Sequence, residues 1–285
     1  MTLVAAYRSM GRIVTLSDTR ISDKGSPRLG NRIPGRLKSI VLNRWLTVSY
    51  AGLSIQAIDA IRKLHAIRLA STESAVEYLR KSSLTLKAEV DYLVCSHEEP
   101  TQPRLIKISS AQVSEGSDLY WIGNPASASA LLSMELPPAQ GESGGEYWSL
   151  EERRFTRRFG AYMDLGTDAA VGGMVVHSLA SPFGHCYQTH AGAYFDNVTI
   201  PDPVEPAVRQ QMNGAGMDGH FKYHVISPDE RGLAIVGTYF EQANVGFIHE
   251  PLISDDPEKF EARDQSDFQT MVNARAQLRI ATQLG

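Results

Sequence analysis

Residues 2–20 read TLVAAYRSMGRIVTLSDTR, and this stretch predicts the first β-hairpin of the chain. Apolar and β-branched runs lie on either side of Ser9-Met10-Gly11, a combination typical of two strands joined by a tight turn. A hairpin returns the chain to the place where it started. We therefore expect Asp18, at the end of the second strand, to lie beside Thr2, at the start of the first.

Working outward, residues 37–42 and 45–50 predict a second hairpin that closes at Ala51-Gly52. The later strands cluster in runs instead of alternating with single helices. This order favours an α+β fold built on antiparallel sheets over a doubly wound parallel sheet. The remaining predicted helices are 55–70, 71–88, 125–135, 151–163, 168–180 and a tail at 257–283; the remaining predicted strands are 91–96, 104–109, 118–122, 185–190, 194–200, 221–226, 232–239 and 244–249.

Composition excludes several functional classes. The 285 residues carry a net charge of −4, which provides no general argument for binding nucleic acid or an acidic membrane. Two cysteines cannot build a disulfide framework and suit a reducing compartment. No apolar run reaches the ~18 residues of a membrane span, and the N-terminus does not have the pattern of a secretory signal. We expect a cytoplasmic protein without nucleic-acid or membrane partners.

Thr2 follows the initiator Met1, so removal of one residue would expose a threonine with a free α-amine. Such a residue carries a nucleophilic hydroxyl and, in an amine with a reference pKa near ~8, its own base. The chemistry also needs a nearby cation, a carboxylate to hold that cation, and a backbone N–H for the oxyanion. Lys38, Asp18 and Gly52 are the candidates for these three roles.

At these residues the sequence resembles the proteasome β-subunit family, which includes the peptidase subunit of the bacterial two-component ATP-dependent protease. The segments that carry the resemblance are TLVAAYRSMGRIVTLSDTR, RLKSIVL and TVSYAGLSIQA. Three features match the family: the acid-x-Arg pair Asp18-Thr19-Arg20, Lys38 as a lysine before an apolar strand, and the turn Ala51-Gly52-Leu53. The resemblance implies a four-layer αββα sandwich, with two antiparallel sheets face to face and helices outside.

By the same resemblance, Thr2 is the nucleophile and Asp18 pairs with Lys38, while Gly52 forms the oxyanion hole. The implied auxiliary residues are Arg20, Asn124, Ser178 and Ser181, and the implied substrate-binding residues are Ser22, Tyr50 and Ser54. Two segments depart from the family pattern. Asn124 stands where the family has a serine that helps to hold the amine, and Ser178-Leu179-Ala180-Ser181-Pro182 lacks the acid of an Asp-x-x-Ser-Gly segment.

The resemblance implies a proteasome-like core over 1–200. The family pattern does not account for 136–166, which we expect to be an insertion, or for 201–285, which we expect to be a C-terminal extension of strands and helix packed on the core. The expected function is hydrolysis of peptides or unfolded proteins through an acyl-enzyme on Thr2, in a homo-oligomeric ring, without a cofactor and with an ATPase or other regulator left open. Two alternatives stay open: an amidase of the same fold that acts on a small amide, and a catalytically inactive ring or shell protein.

His185, Cys186 and His190 lie close together in the sequence, with His177 nearby, as a zinc site would require. On a strand, however, Cys186 and His190 are two pleats apart on one face. We therefore interpret these histidines as buried or surface side chains, and we predict no metal.

Overall fold

The computed structural model describes residues 2–20, 35–68, 71–87, 89–137, 149–164, 171–195 and 220–284. In these ranges the chain is a mixed α+β protein with three five-stranded antiparallel sheets and five α-helices. None of the described helices is both long and apolar enough to cross a membrane.

The elements follow one another with these bounds. The strands are β1 (Leu3–Ser9), β2 (Arg12–Asp18), β3 (Ser39–Asn43), β4 (Leu46–Gly52), β5 (Val90–Ser96), β6 (Arg104–Ser109), β7 (Gln112–Glu115), β8 (Leu119–Gly123), β9 (Val175–Ala180), β10 (Cys186–Tyr187), β11 (His190–Phe195), β12 (His220–Ile226), β13 (Val236–Phe240), β14 (Val245–His249) and β15 (Glu258–Glu261). The helices are α1 (Ser54–Ala66), α2 (Thr72–Thr85), α3 (Pro125–Ser133), α4 (Leu150–Asp164) and α5 (Gln265–Leu284).

The first sheet has the strand order β10-β9-β2-β1-β8 and contains the predicted N-terminal hairpin. In that hairpin Val4 pairs with Ser17, so the start of β1 lies beside the end of β2. On the other side of β1, Leu3 pairs with Gly123 of β8. Thr2 is therefore held between the ends of two neighbouring strands.

The second sheet has the order β3-β4-β5-β6-β7, and its β3–β4 pair is the second predicted hairpin. Helices α1 and α2 pack on this sheet, against β4, β5 and β6. The spacing of Ile58, Ile61 and Leu64 along α1 places all three on one buried face.

The first two sheets pack against each other through a buried apolar cluster that includes Val4 and Ile13 of the first sheet and Leu93 and Cys95 of the second. The opposite side of the first sheet is covered by α3 and α4, where Leu3 and Leu16 meet Phe159. The ends of β1, β2 and β8 that hold Thr2 therefore belong to a sheet packed on both faces.

The helix predicted over 168–180 is wrong for its C-terminal half, because residues 175–180 form β9. This strand pairs antiparallel with β2, and Val175 lies opposite Asp18. Gly172-Gly173 disfavours a helix at this point, and Val175-Val176 favours a strand once β2 offers an unpaired edge.

The third sheet has the order β11-β12-β13-β14-β15, and α5 packs on β12 and β13. One buried cluster joins this sheet to the second, with Tyr223 and Val236 beside Ile40 and Val48. The predicted boundary at residue 200 lies outside the described residues, and β11 of the third sheet precedes it. Within the predicted insertion, 136–166, α4 packs on the first sheet through Phe155 and Phe159.

Candidate active site

Thr2, Asp18 and Lys38 meet at one end of the first sheet. The Thr2 hydroxyl donates to Asp18 Oδ1 at 2.6 Å, and Lys38 Nζ donates to the same oxygen at 2.7 Å. The hydroxyl oxygen and the ammonium nitrogen are therefore at most about 5.3 Å apart, the sum of these two distances. The three side chains that the sequence singles out form one hydrogen-bonded cluster.

This cluster is almost completely buried. Asp18 is 0% exposed, Lys38 is 4% exposed and Thr2 is 5% exposed. Burial lowers the pKa of Lys38, and the adjacent Asp18 carboxylate opposes that effect. Because a buried unpaired charge is costly, Lys38 depends on the adjacent carboxylate for its charged form.

Backbone N–H groups complete the shell around the Asp18 carboxylate. Leu3 N donates to Oδ1 at 3.0 Å, and Gly172 N donates to Oδ2 at 3.3 Å. The carboxylate therefore accepts from a hydroxyl, an ammonium group and two amides. Its position is held from three separate parts of the chain.

The segment 171–174 is the part of the site that the sequence analysis missed. Arg20 binds it twice, from its backbone N to Gly172 O at 3.0 Å and from Nη1 to Val171 O at 3.2 Å. A side chain at Gly173 would meet Thr19 Oγ1 at 2.5 Å, and the backbone φ there is +80°. The signal that could have revealed this segment is the glycine pair Gly172-Gly173, followed after Met174 by two valines.

Gly52 ends β4, is exposed, and has a φ of +105°. A Cβ at this position would lie 1.9 Å from Glu89 O, so the close approach of the chain before β5 requires glycine. β4 packs against β1, which begins beside Thr2. The close contact with Glu89 therefore explains why residue 52 is a glycine. The oxyanion role of its N–H stays a prediction.

Gly123-Asn124 contacts Thr2 through the backbone. Asn124 N donates to Thr2 O at 2.8 Å, while the Asn124 side chain caps α3 by accepting from Ala126 N at 2.9 Å. Gly123 has a φ of +105°, and a Cβ there would lie 1.9 Å from Thr2 O. Asn124 therefore positions Thr2 with its main chain, and its side-chain oxygen is used by the helix.

The structure does not bring Ser178 and Ser181 to Thr2. Ser178 lies in the core between the first two sheets, where its hydroxyl is 2.8 Å from that of Ser39. Ser181 follows β9 and donates to Gly184 O at 3.0 Å. Because Val175 pairs with Asp18 and each strand residue rises about 3.3 Å, Ser181 is about 20 Å farther along the sheet.

Tyr50 is 2% exposed, and it contacts the backbone of Leu37 and Lys38, the two residues before β3. Its hydroxyl donates to Leu37 O at 3.0 Å, and its N–H donates to Lys38 O at 2.9 Å. Ser54 begins α1, and its buried hydroxyl has no hydrogen-bond partner. Ser22 lies outside the described residues.

The histidines considered for zinc are engaged elsewhere. His190 stacks on His177 with ring centroids 4.0 Å apart, and His185 Nε2 lies 3.1 Å from His97 Nδ1. Within the described ranges, no group of three or more His, Cys, Asp or Glu side chains is arranged to hold a metal ion.

In chemical terms, the site presents a threonine hydroxyl that donates to a buried carboxylate, and the same carboxylate oxygen accepts from a lysine ammonium group. Comparison of the sequence with protein-family models and with curated proteins finds no match.

Proposed function

We propose that this protein is a hydrolase of the N-terminal threonine type that cleaves peptide bonds after Met1 is removed. The observation that carries the proposal is the sharing of Asp18 Oδ1 by the Thr2 hydroxyl and the Lys38 ammonium group. Burial of a lysine charge costs free energy unless the charge is paired. Such buried charged groups, placed beside a hydroxyl, are more frequent at functional sites than around structural threonines.

The proposed reaction has two stages. The Thr2 oxygen attacks the substrate carbonyl carbon, and the Thr2 α-amine takes the hydroxyl proton. The C–N bond then breaks, the proton passes to the leaving amine, and an ester on Thr2 remains. Water, deprotonated by the same amine, attacks the ester carbonyl, and the proton returns to the threonine oxygen as the acid leaves.

Lys38 and Asp18 act on this reaction through charge. The ammonium group favours the deprotonated forms of the nearby hydroxyl and amine, and Asp18 keeps the lysine charged and in place. The Gly52 N–H is our candidate for the oxyanion donor. Arg20 holds the segment at 171–172, which in turn donates to Asp18.

We also propose that the first two sheets and their helices form the four-layer αββα sandwich of the N-terminal nucleophile hydrolases. The supporting contacts are α1 and α2 on the second sheet, the second sheet on the first, and α3 and α4 on the first. By the resemblance stated above, the protein would form a cytoplasmic homo-oligomeric ring with its sites inside, fed with peptides or unfolded protein.

The low exposure of Thr2, 5%, is the observation that favours the second candidate function, an inactive shell protein of the same fold. A site that stays closed cannot admit a carbonyl group. The amidase alternative differs from both, because it predicts turnover of small amides and none of extended peptides.

Intact-mass spectrometry and one labelling experiment test the proposal. We expect the purified protein to lack Met1 and to react at Thr2 with an epoxyketone, which traps a hydroxyl together with an adjacent free amine. Thr2→Ala should abolish both labelling and cleavage of fluorogenic peptides, and Thr15→Ala, at a buried threonine elsewhere on β2, should abolish neither. Retention of Met1 in an unlabelled, inactive protein would favour the shell.

A further inference from the structure

The backbone of Val175, the first residue of β9, is held from the side opposite β2. Val175 pairs with Asp18 of β2, yet its N–H donates to Tyr223 Oη at 2.9 Å. Its carbonyl oxygen lies 3.0 Å from His190 Nε2. The N–H and C=O of one strand residue point to the same side of the strand, and successive residues alternate. Both backbone groups of Val175 are therefore directed away from Asp18 and towards the third sheet.

Two alternate residues before Val175 face the other way, towards the candidate active site. Gly172 N donates to Asp18 Oδ2 at 3.3 Å, and Met174 N donates to Thr19 Oγ1 at 2.9 Å. The chain at this point thus has the Asp18 carboxylate on one side and side chains of the third sheet on the other. A displacement of Val175 would also displace the amide that donates to Asp18.

Side chains support the outer edge of β9 where its neighbouring strand has ended. Among the described strands, the outer neighbour of β9 is β10, which ends at Tyr187, opposite Ser178. Val175 lies beyond that end and is only 8% exposed. A buried backbone group without a partner costs free energy. Tyr223 and His190 therefore take the place of a paired strand at Val175.

The position of the Tyr223 ring depends on a glycine in the adjacent strand. Gly192 of β11 lies opposite Tyr223, and a Cβ at residue 192 would lie 2.4 Å from Tyr223 Oη and 2.5 Å from Cζ. Any larger residue at 192 would displace the tyrosine hydroxyl. Tyr223 is 2% exposed and belongs to the buried cluster that includes Met174 and Val176. Close packing thus fixes the hydroxyl at Val175.

His190 gives a second contact, which depends on its tautomer. Its Nε2 lies 3.0 Å from Val175 O, and its Nδ1 lies 3.0 Å from Gln188 O. Both oxygens only accept, and burial lowers the pKa of His190, so a neutral ring with a single N–H serves one carbonyl at a time. The bond from Val175 N to Tyr223 does not depend on this choice. Tyr223 is therefore the constant support of Val175.

We propose that Tyr223 is a positioning residue for the Asp18 carboxylate, and that the third sheet supports the Thr2 site through it. This inference rests on the proposed function. Tyr223 Oη fixes Val175, and the segment before Val175 brings the Gly172 amide to Asp18 Oδ2. Asp18 Oδ1 accepts from the Thr2 hydroxyl, so a displaced carboxylate misaligns the nucleophile. Small displacements of reacting groups lower reaction rates strongly.

The kinetic test compares Tyr223→Phe with Tyr239→Phe in the full chain after Met1 removal. Tyr239 is the matched control, because it is a buried tyrosine of the same sheet that donates to Asn244 and packs on Phe268 of α5. We expect Tyr223→Phe to lower kcat for a fluorogenic peptide by about tenfold or more. KM should change by less than about twofold, because the contacts with substrate stay in place. Tyr239→Phe should keep both constants.

Hydrogen exchange provides a measurement that does not depend on turnover. Without the tyrosine hydroxyl, Val175 N–H has lost its acceptor. The amides of Gly172 and Val175 should therefore exchange about three- to tenfold faster in Tyr223→Phe than in Tyr239→Phe, as expected for the loss of one hydrogen bond. Gly192→Ala, which displaces an intact Tyr223, should lower kcat and raise these exchange rates in the same way.

The outcomes separate this inference from the proposed function. If the processed wild-type protein cleaves no peptide, the proposed function fails, and the exchange rates alone decide whether Tyr223 holds the segment beside Asp18. If the wild-type protein is active and Tyr223→Phe keeps its kcat, the positioning role is overturned and the proposed function stands. Equal losses in Tyr223→Phe and Tyr239→Phe also overturn it, because they indicate a general destabilisation.

A measurement on the wild-type protein keeps the inference testable if neither Tyr223→Phe nor Gly192→Ala folds. A Val175 amide that is protected from exchange supports the bond to Tyr223. A Val175 amide that exchanges as fast as an exposed one excludes the bond and overturns the inference.

Discussion

Replacement of Lys38 by methionine removes the ammonium group and keeps most of the side-chain volume. The ion pair that it breaks is 2.7 Å long, between side chains that are 5% and 0% exposed. Removing one member of a buried pair costs about 3–5 kcal/mol, because the other charge is left uncompensated. Asp18 keeps its bonds from Thr2, Leu3 and Gly172, so we expect the lower end, about 3 kcal/mol.

Urea unfolding followed by tryptophan fluorescence measures this cost, and a double-mutant cycle assigns it. Asp18→Asn alone leaves the lysine buried without its partner and should also be destabilising. The double variant should be more stable than the sum of the two single effects predicts, by about 1–3 kcal/mol. Lys81→Met is the control, because Lys81 is 70% exposed and its pair with Glu77 is worth at most about 1 kcal/mol.

Activity provides the second measurement on the same variant. If the lysine charge assists the reaction, Lys38→Met should lower kcat by about 10²-fold or more at unchanged secondary structure. A destabilisation below about 1 kcal/mol would refute the reasoning about a buried pair. A large destabilisation with full activity would leave Lys38 a structural role and remove it from the mechanism.

Three further predictions follow from single sites. Gly123→Ala should destabilise the fold and displace Thr2, since its Cβ would lie 1.9 Å from Thr2 O; Gly116→Ala, at the same φ of +105° but with open space around it, should cost less in thermal unfolding, and equal costs would refute the contact. Burial lowers the pKa of His249 to about 3, against an ordinary value of 6.5, so the unfolded chain binds the extra proton as the pH falls from 6.5 towards 3. Stability is therefore present above pH 6.5 and lost below it, by up to about 1.4 kcal/mol per pH unit, and His249→Asn should flatten a pH series of urea midpoints that would otherwise fall. Cys95 is 0% exposed, and burial raises the pKa of its thiol to about 12. Iodoacetamide at pH 8 should therefore modify Cys95 only after the protein is unfolded, as measured by peptide mass mapping. Modification of Cys95 in the native protein would contradict this burial.

Local patterns were enough to predict the N-terminal hairpin and its consequence. Thr2 and Asp18 are 16 residues apart, and a hairpin with a tight turn leaves only one register in which both strands bury their apolar faces. The second hairpin likewise placed Lys38 at its start. The contact between Thr2 and Asp18 was therefore accessible from spacing and strand patterning, whereas the contact of Lys38 with Asp18, which joins two sheets, was implied by the family resemblance.

The surroundings of the cluster were not accessible in this way. The sequence predicts a helix at 171–174, because the loop conformation of this segment depends on contacts with Asp18 and Thr19, more than 150 residues earlier in the chain. The resemblance placed Ser181 beside the site, although β9 carries it to the far end of the sheet. The side chain of Asn124 could hold an amine by hydrogen bonding, but it caps α3 instead. That role depends on where α3 begins.

The amino-acid pattern specified the two hairpins and, within the first of them, the proximity of Thr2 and Asp18, because hairpin pairing is a short-range property of turn residues and alternating apolar side chains. Tertiary packing specified what encloses them, above all the glycine-rich segment at 171–174, which contacts Asp18 and Thr19. These contacts join segments separated by more than 150 residues, and no local periodicity encodes which distant loop will cover a given strand end.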